Sequence, residues 1–339
     1  MKIIIDAMGG DNAPKSTVGG AILARKELGA EIILVGREQE LKELLGDNTD
    51  GISIVNAPDV ITMEDDPATA CRTKRDSSMS VALNLLKTGV GDALVSAGST
   101  GALLTGATLS ARRIKGIRRA ALAPVLPAGE KGVLVLDVGG TAECTAEYLM
   151  QFAFMGSFYA SKVLGYSNPR VGLLCNGTED CKGTELTKQT FALLKSAADA
   201  GKINFIGNIE GTDVMSGKVE VVVCDGFTGN IFLKTLEGAI KFIFGNLKGI
   251  MTASLKNKLA ALALKSSFKG LKTKLDVNEV GGTALLGLSK PVIKAHGSSN
   301  ETAIRSAVRQ AMEFTKGGII GLIEENIEDM KLSSVKSEE

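Results

Sequence analysis

The sequence contains no tryptophan and a single histidine, and aromatic residues fill only 4% of its 339 positions. One histidine cannot build a usual zinc site, and the five cysteines (Cys71, Cys144, Cys175, Cys181, Cys224) form no C-x-x-C pair. An odd, widely spaced set fits reduced and mostly buried thiols rather than a disulfide framework. Net charge is +1, so no global field favours nucleic acid and any basic patch must be local. No run approaches the roughly 20 apolar residues of a membrane span. The opening MKIIIDAMGG holds an apolar run too short for a signal peptide, and an acid follows it at once. The chain is therefore expected to be cytoplasmic, with any membrane contact peripheral. There is no G-x-x-x-x-G-K-[ST], no G-x-G-x-x-G after a strand and no G-x-S-x-G elbow. These absences argue against P-loop NTPases, standard dinucleotide sites and hydrolase triads. No cofactor and no metal is expected.

What is present is alternation. Apolar residues make up 44% of the chain, ample for a core, with 40 glycines among them. Short β-branched runs read as strands at 2–5, 31–36, 52–55, 92–98, 132–140, 170–174, 203–207, 219–226 and 291–297. Helical patterns lie between them at 14–28, 37–45, 80–87, 100–113, 145–164, 183–197, 230–245 and 301–327. Such alternation predicts an α/β/α-layered fold with a mostly parallel sheet covered on both faces. No internal repeat or low-complexity linker appears. The expectation is one two-lobed unit over 1–330, with a helical excursion at 246–275 and a frayed tail at 331–339.

Six strands run out into polar, glycine-bearing turns. These carry Asp6, Gly9 and Gly10; Ser96, Ser99, Thr100 and Gly101; Asp137 and Thr141; Asn176 and Lys182; Asp225, Gly229 and Asn230; and His296, Ser298, Ser299 and Asn300. In open α/β sheets ligands sit outside the carboxyl ends of the strands. Glycine lets the backbone approach a ligand, and free N–H groups at helix starts attract anions. If the six turns share one edge, they make a wide cleft suited to phosphate. Each turn taken alone is equally a plain connector with a helix cap. Lys294 and His296 alternate along one strand and so share a face; the other reading of Lys294 is a pair with a carboxylate.

Between Glu237 and Asp276 there is no acid, but there are eight lysines. Met251, Leu255, Leu259 and Leu262 share a helical face; Leu264, Phe268, Leu271 and Leu275 share another. The jump predicts two amphipathic segments with a break near Ser266–Ser267. Basic amphipathic helices lie on anionic membranes or grip acidic partners; a dimer-packing pair with a solvated lysine face fits as well.

The motifs DAMGGD, SAGSTGA, LDVGG, CDGFTGN, GGTALLG and IKAHGSSN, in this order over about residues 1–325, resemble the PlsX family of acyl-acyl-carrier-protein:phosphate acyltransferases. The resemblance implies transfer of a fatty acyl group from the acyl carrier protein thioester to inorganic phosphate. The acyl phosphate would feed a membrane glycerol-3-phosphate acyltransferase in phospholipid synthesis. It also implies a fold similar to isocitrate/isopropylmalate dehydrogenases and phosphotransacetylase, a homodimer, and peripheral association with an anionic membrane. Under it, Ser96, Ser99, Thr100 and the 298–300 turn would bind phosphate, with Asp6, Gly9, Gly10, Gly101 and Gly229 shaping the substrate turns. Lys182 and Asn230 would polarise the carbonyl or hold the oxyanion, Asp225 would orient Lys182 or an adjacent donor, and His296 would donate to phosphate or protonate the leaving thiolate. Lys256, Lys258, Leu259, Leu262, Lys265, Phe268, Lys269 and Lys272 would meet carrier protein or membrane. The sequence departs from the family pattern at Ser99, Thr141, Cys175 and Thr178. A phosphotransacetylase-like acyl-CoA enzyme, a dehydrogenase of the same fold and an inactive membrane-docking scaffold are the alternatives.

Overall fold

The computed structural model describes residues 1–264 and 281–331. The first half runs β1 (Lys2–Asp6), α1 (Lys15–Leu28), β2 (Glu31–Gly36), α2 (Glu38–Leu45), β3 (Ile52–Asn56), α3 (Ala70–Thr73), α4 (Ser78–Lys87), β4 (Ala93–Ser96), α5 (Thr100–Ser110), β5 (Ala121–Leu126) and β6 (Val133–Leu136). It continues with α6 (Ala146–Lys162), β7 (Val171–Leu174), α7 (Glu185–Asp199), β8 (Phe205–Ile209), α8 (Gly211–Val214), β9 (Val221–Val223), α9 (Gly226–Thr252) and α10 (Leu255–Ala263). After the undescribed segment come β10 (Thr283–Leu286), β11 (Val292–Lys294), α11 (Glu301–Lys316) and α12 (Ile319–Glu325).

All strands join one 11-stranded sheet, ordered β3-β2-β1-β4-β11-β10-β5-β6-β9-β7-β8. Strands β3, β2, β1, β4 and β11 are parallel to one another, as are β6, β9, β7 and β8. Between the two sets, β10 is antiparallel to both β11 and β5, and β5 is antiparallel to β6. The sets therefore run in opposite directions. The turns after β1, β4 and β11 leave one edge of the sheet, and those after β6, β7 and β9 leave the other. The condition that all six turns share one edge is not met: they divide three and three.

Both faces are covered, so buried strands read as continuous apolar runs. In β1, Ile3 and Ile5 join the core on one face with Phe152, Tyr159 and Phe314, while Ile4 joins the other with Leu83, Leu94 and Val292. The antiparallel strands β5 and β10 escaped the periodicity reading. Pro124 stands within β5, and a proline argues against a central strand; the ladder to β6 is confined to Val125 and Leu126, beyond it.

Helix α9 also differs from the expected 230–245. Its 27 residues extend about 40 Å at 1.5 Å per residue, and only Gly226 and Gly229 are buried. The break falls at Ala253–Ser254, before α10. The expected break at Ser266–Ser267, and Lys265, Phe268, Lys269 and Lys272, lie outside the described residues. Phe242, Ile243 and Ile250 on α9, and Leu255, Leu259 and Leu262 on α10, are exposed. No helix among the described residues is long and apolar enough to cross a membrane.

Candidate functional site

On the first edge, three neighbouring strands end in register. Asp6 of β1 pairs with Ser96 of β4, and Ser96 pairs with Lys294 of β11. Residues in register on parallel strands point to one face, so a carboxylate, a hydroxyl and an ammonium stand in a row. All three are buried. Ser96 Oγ donates to Asp6 Oδ2 at 2.7 Å and accepts from the Gly98 N–H at 3.1 Å. Burial pushes the Asp6 carboxyl above its ordinary range, against the Ser96 bond and the charge of Lys294. Burial pulls the Lys294 ammonium down to about 8, against the attraction of Asp6 and Asp11. Its Nζ donates to the carbonyls of Ala97 (3.4 Å) and Ala295. The carboxylate pairing that the sequence left open is not seen among the described residues.

His296 follows at the rim. Its Nδ1 lies 2.9 Å from Ser298 Oγ and accepts from the Ser298 N–H at 3.2 Å. An amide N–H can only donate, so Nδ1 is the acceptor and the neutral ring carries its proton on Nε2. Burial and the cations Lys234 and Lys294 hold the imidazole below its ordinary pKa, so the neutral form prevails at pH 7.

On the other edge, Asp137 follows β6 and is fully buried. Its carboxylate accepts from the N–H groups of Leu122 (2.8 Å), Gly140 (3.1 Å) and Thr141 (2.6 Å). Burial raises its pKa to about 6 against these bonds. Helix α9 starts tightly against this turn: a Cβ at Gly229 would sit 2.0 Å from the Asp137 carbonyl oxygen. Asp225 caps α9, accepting from Thr228 N–H at 2.8 Å and Thr228 Oγ1 at 2.7 Å.

From that start α9 crosses toward the opposite edge. Asn230, Leu233, Lys234 and Glu237, at helical spacing, line a cavity of about 310 Å³ together with Lys294, His296, Thr100, Gly139, Gly282 and Thr283. Leu122, Leu126 and Val138 supply apolar wall. Lys234 and Glu237 form an ion pair at 3.0 Å. The cavity thus bridges the two edges: Asn230 and His296 both line it, although the strands that precede them run in opposite directions.

Other expected site residues fall elsewhere. Thr100 lines the cavity, whereas Ser96 and Ser99 are buried and do not line it. Gly9, Gly10 and Gly101 are packing positions; a Cβ at Gly9 would lie 2.7 Å from the Gly98 nitrogen, and one at Gly101 2.8 Å from Pro67 Cβ. Ser299 is buried and donates its N–H to the His296 carbonyl at 3.0 Å. Asn300 caps α11 through Ala303 N–H at 2.9 Å and lines a separate, open depression of about 940 Å³ beside Asp11 and Lys15. Lys182 is exposed and does not line the cavity. The Asp225 carboxylate holds an adjacent donor, Thr228, and no bond from it to Lys182 is seen among the described residues. Lys234, Glu237 and Thr283 were missed. The signal for the first two was the i, i+4 and i+7 spacing from Asn230.

Residues 1–321 match the fatty acid synthesis protein family. The chain belongs to that family. A phosphate acyltransferase of Oceanobacillus iheyensis is 47% identical over 331 residues, covering 97% of this chain and 98% of its own. One from Bacillus thuringiensis is 49% identical over 325 residues, covering 95% and 97%. The PlsX resemblance read from the motifs is borne out. The fold expectation holds too: a phosphotransacetylase of Streptococcus pyogenes superposes with TM-score 0.61 over 93% of this chain and 94% of its own, at 16% identity. A EutD phosphotransacetylase of Staphylococcus aureus gives 0.59 over 92% and 94%, also at 16%.

Proposed function

We propose that the protein transfers a long-chain acyl group from the thioester of acyl carrier protein to inorganic phosphate, making acyl phosphate for phospholipid synthesis. The observation that carries this reading is the composition of the bridging cavity. Its lining combines apolar residues (Leu122, Leu126, Val138, Leu233) with polar ones (Lys234 paired with Glu237, Lys294, His296 and Thr100). An acyl chain with its thioester fits the first, and an anion the second.

The chemistry needs positioning more than activation. A phosphate oxygen attacks the thioester carbonyl carbon; the C–O bond forms, the C–S bond breaks, and the thiolate leaves and takes a proton. No acyl-enzyme is required. His296, neutral with its proton on Nε2, serves as a hydrogen-bond donor to phosphate or to the developing oxyanion, and Asn230 donates from the facing helix. Lys182, outside the cavity, would serve only after its loop is drawn in by the carrier-bound substrate.

Carrier protein is acidic, and the exposed Lys234 and Lys241 of α9 offer it positive charge. The leucines of α10 with Lys256 and Lys258 seat on an anionic membrane, which brings the product to a membrane glycerol-3-phosphate acyltransferase. The exposed α9 face, including Phe227 and Ile231, packs against a second copy of the chain. The deciding experiment is phosphate-dependent release of free carrier protein from its palmitoyl thioester, run beside palmitoyl-CoA. Release from the carrier thioester with acyl phosphate formed supports the reading. Release from the CoA thioester alone would replace it with a phosphotransacetylase-like activity, and membrane binding without any turnover with a docking scaffold.

A further inference from the structure

We infer that Lys294 supplies the fixed positive charge that seats the attacking anion, making it the phosphate-binding cation of the cavity. The inference rests on the acyl-to-phosphate reading of the site. Lys294 is the last residue of β11, 7% exposed, and lines the cavity beside His296. An ammonium carries three donors. Two go to neutral acceptors, the Ala97 carbonyl at 3.4 Å and the Ala295 carbonyl. No carboxylate lies within ion-pair distance of Nζ among the described residues; the strongest opposite charge, Asp6, is bound by Ser96 through Oδ2 at 2.7 Å, and its Oδ1 has no hydrogen-bond partner among the described residues.

A buried cation left with carbonyls alone is costly, and pairing it with an anion relieves that cost. The surroundings point the same way. Lys234 on α9 lines the same cavity and its positive charge disfavours that of Lys294; Lys234 is half exposed and already paired with Glu237 at 3.0 Å, so the buried Lys294 is the cation that an anion relieves. Helix α5 begins at Thr100, which lines the same cavity, and the first-turn N–H groups of a helix have no partner within it. The charged and titratable groups around Lys294 are Asp6 from β1, Asp11 from the turn after it, Lys234 and Glu237 from α9, and His296 just beyond its own strand. Lys294, the start of α5 and His296 line this one cavity, where a tetrahedral anion has oxygens to offer to each.

The test uses the full chain with inorganic phosphate as the probe. Thermal melts with and without phosphate measure binding independently of turnover, and the carrier-release assay measures phosphate KM and kcat. Lys294→Met is expected to raise the phosphate KM about tenfold or more, the scale of a lost charged hydrogen bond. The KM for the acyl thioester should change little, and the phosphate-induced rise in Tm should vanish. Lys294→Arg, which stays charged, is expected to recover part of the phosphate response. With Lys294 titrating at about 8, the charged form prevails below that pH, so phosphate affinity of the unmodified protein should weaken as pH rises through 8. In Lys294→Arg that weakening should disappear. A Lys294→Met protein with unchanged phosphate KM and Tm response overturns the inference. Should both variants misfold by circular dichroism, the unmodified protein decides: phosphate protection that persists undiminished from pH 7 to above 9 overturns it. A protein without turnover whose phosphate protection still depends on Lys294 would remove the proposed function and keep the anion seat.

Discussion

The backbone N–H of Ser298 donates to His296 Nδ1 over 3.2 Å, while Lys234 and Lys294 press the same ring toward neutrality. The contact fixes the tautomer and the charges fix the protonation state. Together they make His296 a donor through Nε2 rather than a reservoir of acid. Its folded pKa lies below the ordinary value, so the imidazolium forms only on the acid side of about 6.5, where the second proton would face the Ser298 N–H.

This separates two roles the sequence left open. His296→Ala is expected to lower kcat by about 10²-fold. The ratio of wild-type to variant kcat, which cancels the titration of phosphate itself, should be flat from pH 6.5 upward and fall below that. A ratio that declines as pH rises through 6.5 would make the imidazolium the working form and refute the donor role.

The sequence made part of this legible for simple reasons. The apolar runs KIII, EIILV and VGLL became β1, β2 and β7 because a strand buried on both faces needs apolar residues throughout. His296 was legible as a strand-end residue because glycine, serine and asparagine follow it. What could not be read was direction. The reversal depends on β5 and β10, one carrying Pro124 and the other only four residues long. Without those strands, six turns look like one edge. Lys234 and Glu237 were hidden for a related reason: their helical spacing is plain, but nothing local says that α9 crosses the face of the sheet. Asp225 was legible as polar and next to a helix, and its role as a cap is the one such a position most often has.

Asp225 is placed to hold the start of α9, and any effect on turnover is expected to come through that helix start. Asp225→Ala is expected to cost about 1 kcal/mol of stability, the usual price of a lost N-cap. Asp225→Ser should restore both stability and kcat, because a hydroxyl can take the Thr228 N–H. Urea melts alongside kcat check this. A serine variant that is stable but inactive would mean that the carboxylate itself takes part in the reaction.

Gly229 tests how closely α9 must sit on the Asp137 turn. An added Cβ would meet the Asp137 carbonyl at 2.0 Å and Cys224 Sγ at 2.7 Å. The first is backbone, so the helix start has to move. Gly229→Ala is expected to destabilise by about 1–3 kcal/mol, the range for overpacking, and to depress kcat beyond what its folded fraction explains, because Asn230 moves with the helix. A variant with wild-type melting and turnover would show that the 137–141 turn yields freely.

The exposed leucines of α10 separate membrane seating from catalysis. Leu255, Leu259 and Leu262 are 76%, 63% and 66% exposed, on a helix whose described neighbours include Lys256 and Lys258 but no acid. Leaving such residues in water forgoes roughly 1.5–3 kcal/mol each relative to full burial, so a surface that takes all three gains several kcal/mol even when burial is partial. Lysines add attraction to anionic headgroups, which salt screens over about 10 Å at 0.1 M. Replacing the three leucines by glutamate should abolish co-sedimentation with anionic vesicles and leave kcat on soluble palmitoyl carrier protein unchanged. Raising salt should weaken vesicle binding of the unmodified protein only in part, since the leucine contribution persists. Binding that vanishes entirely with salt would leave the lysines as the whole anchor. Loss of turnover in the glutamate variant would instead assign α10 to the carrier protein.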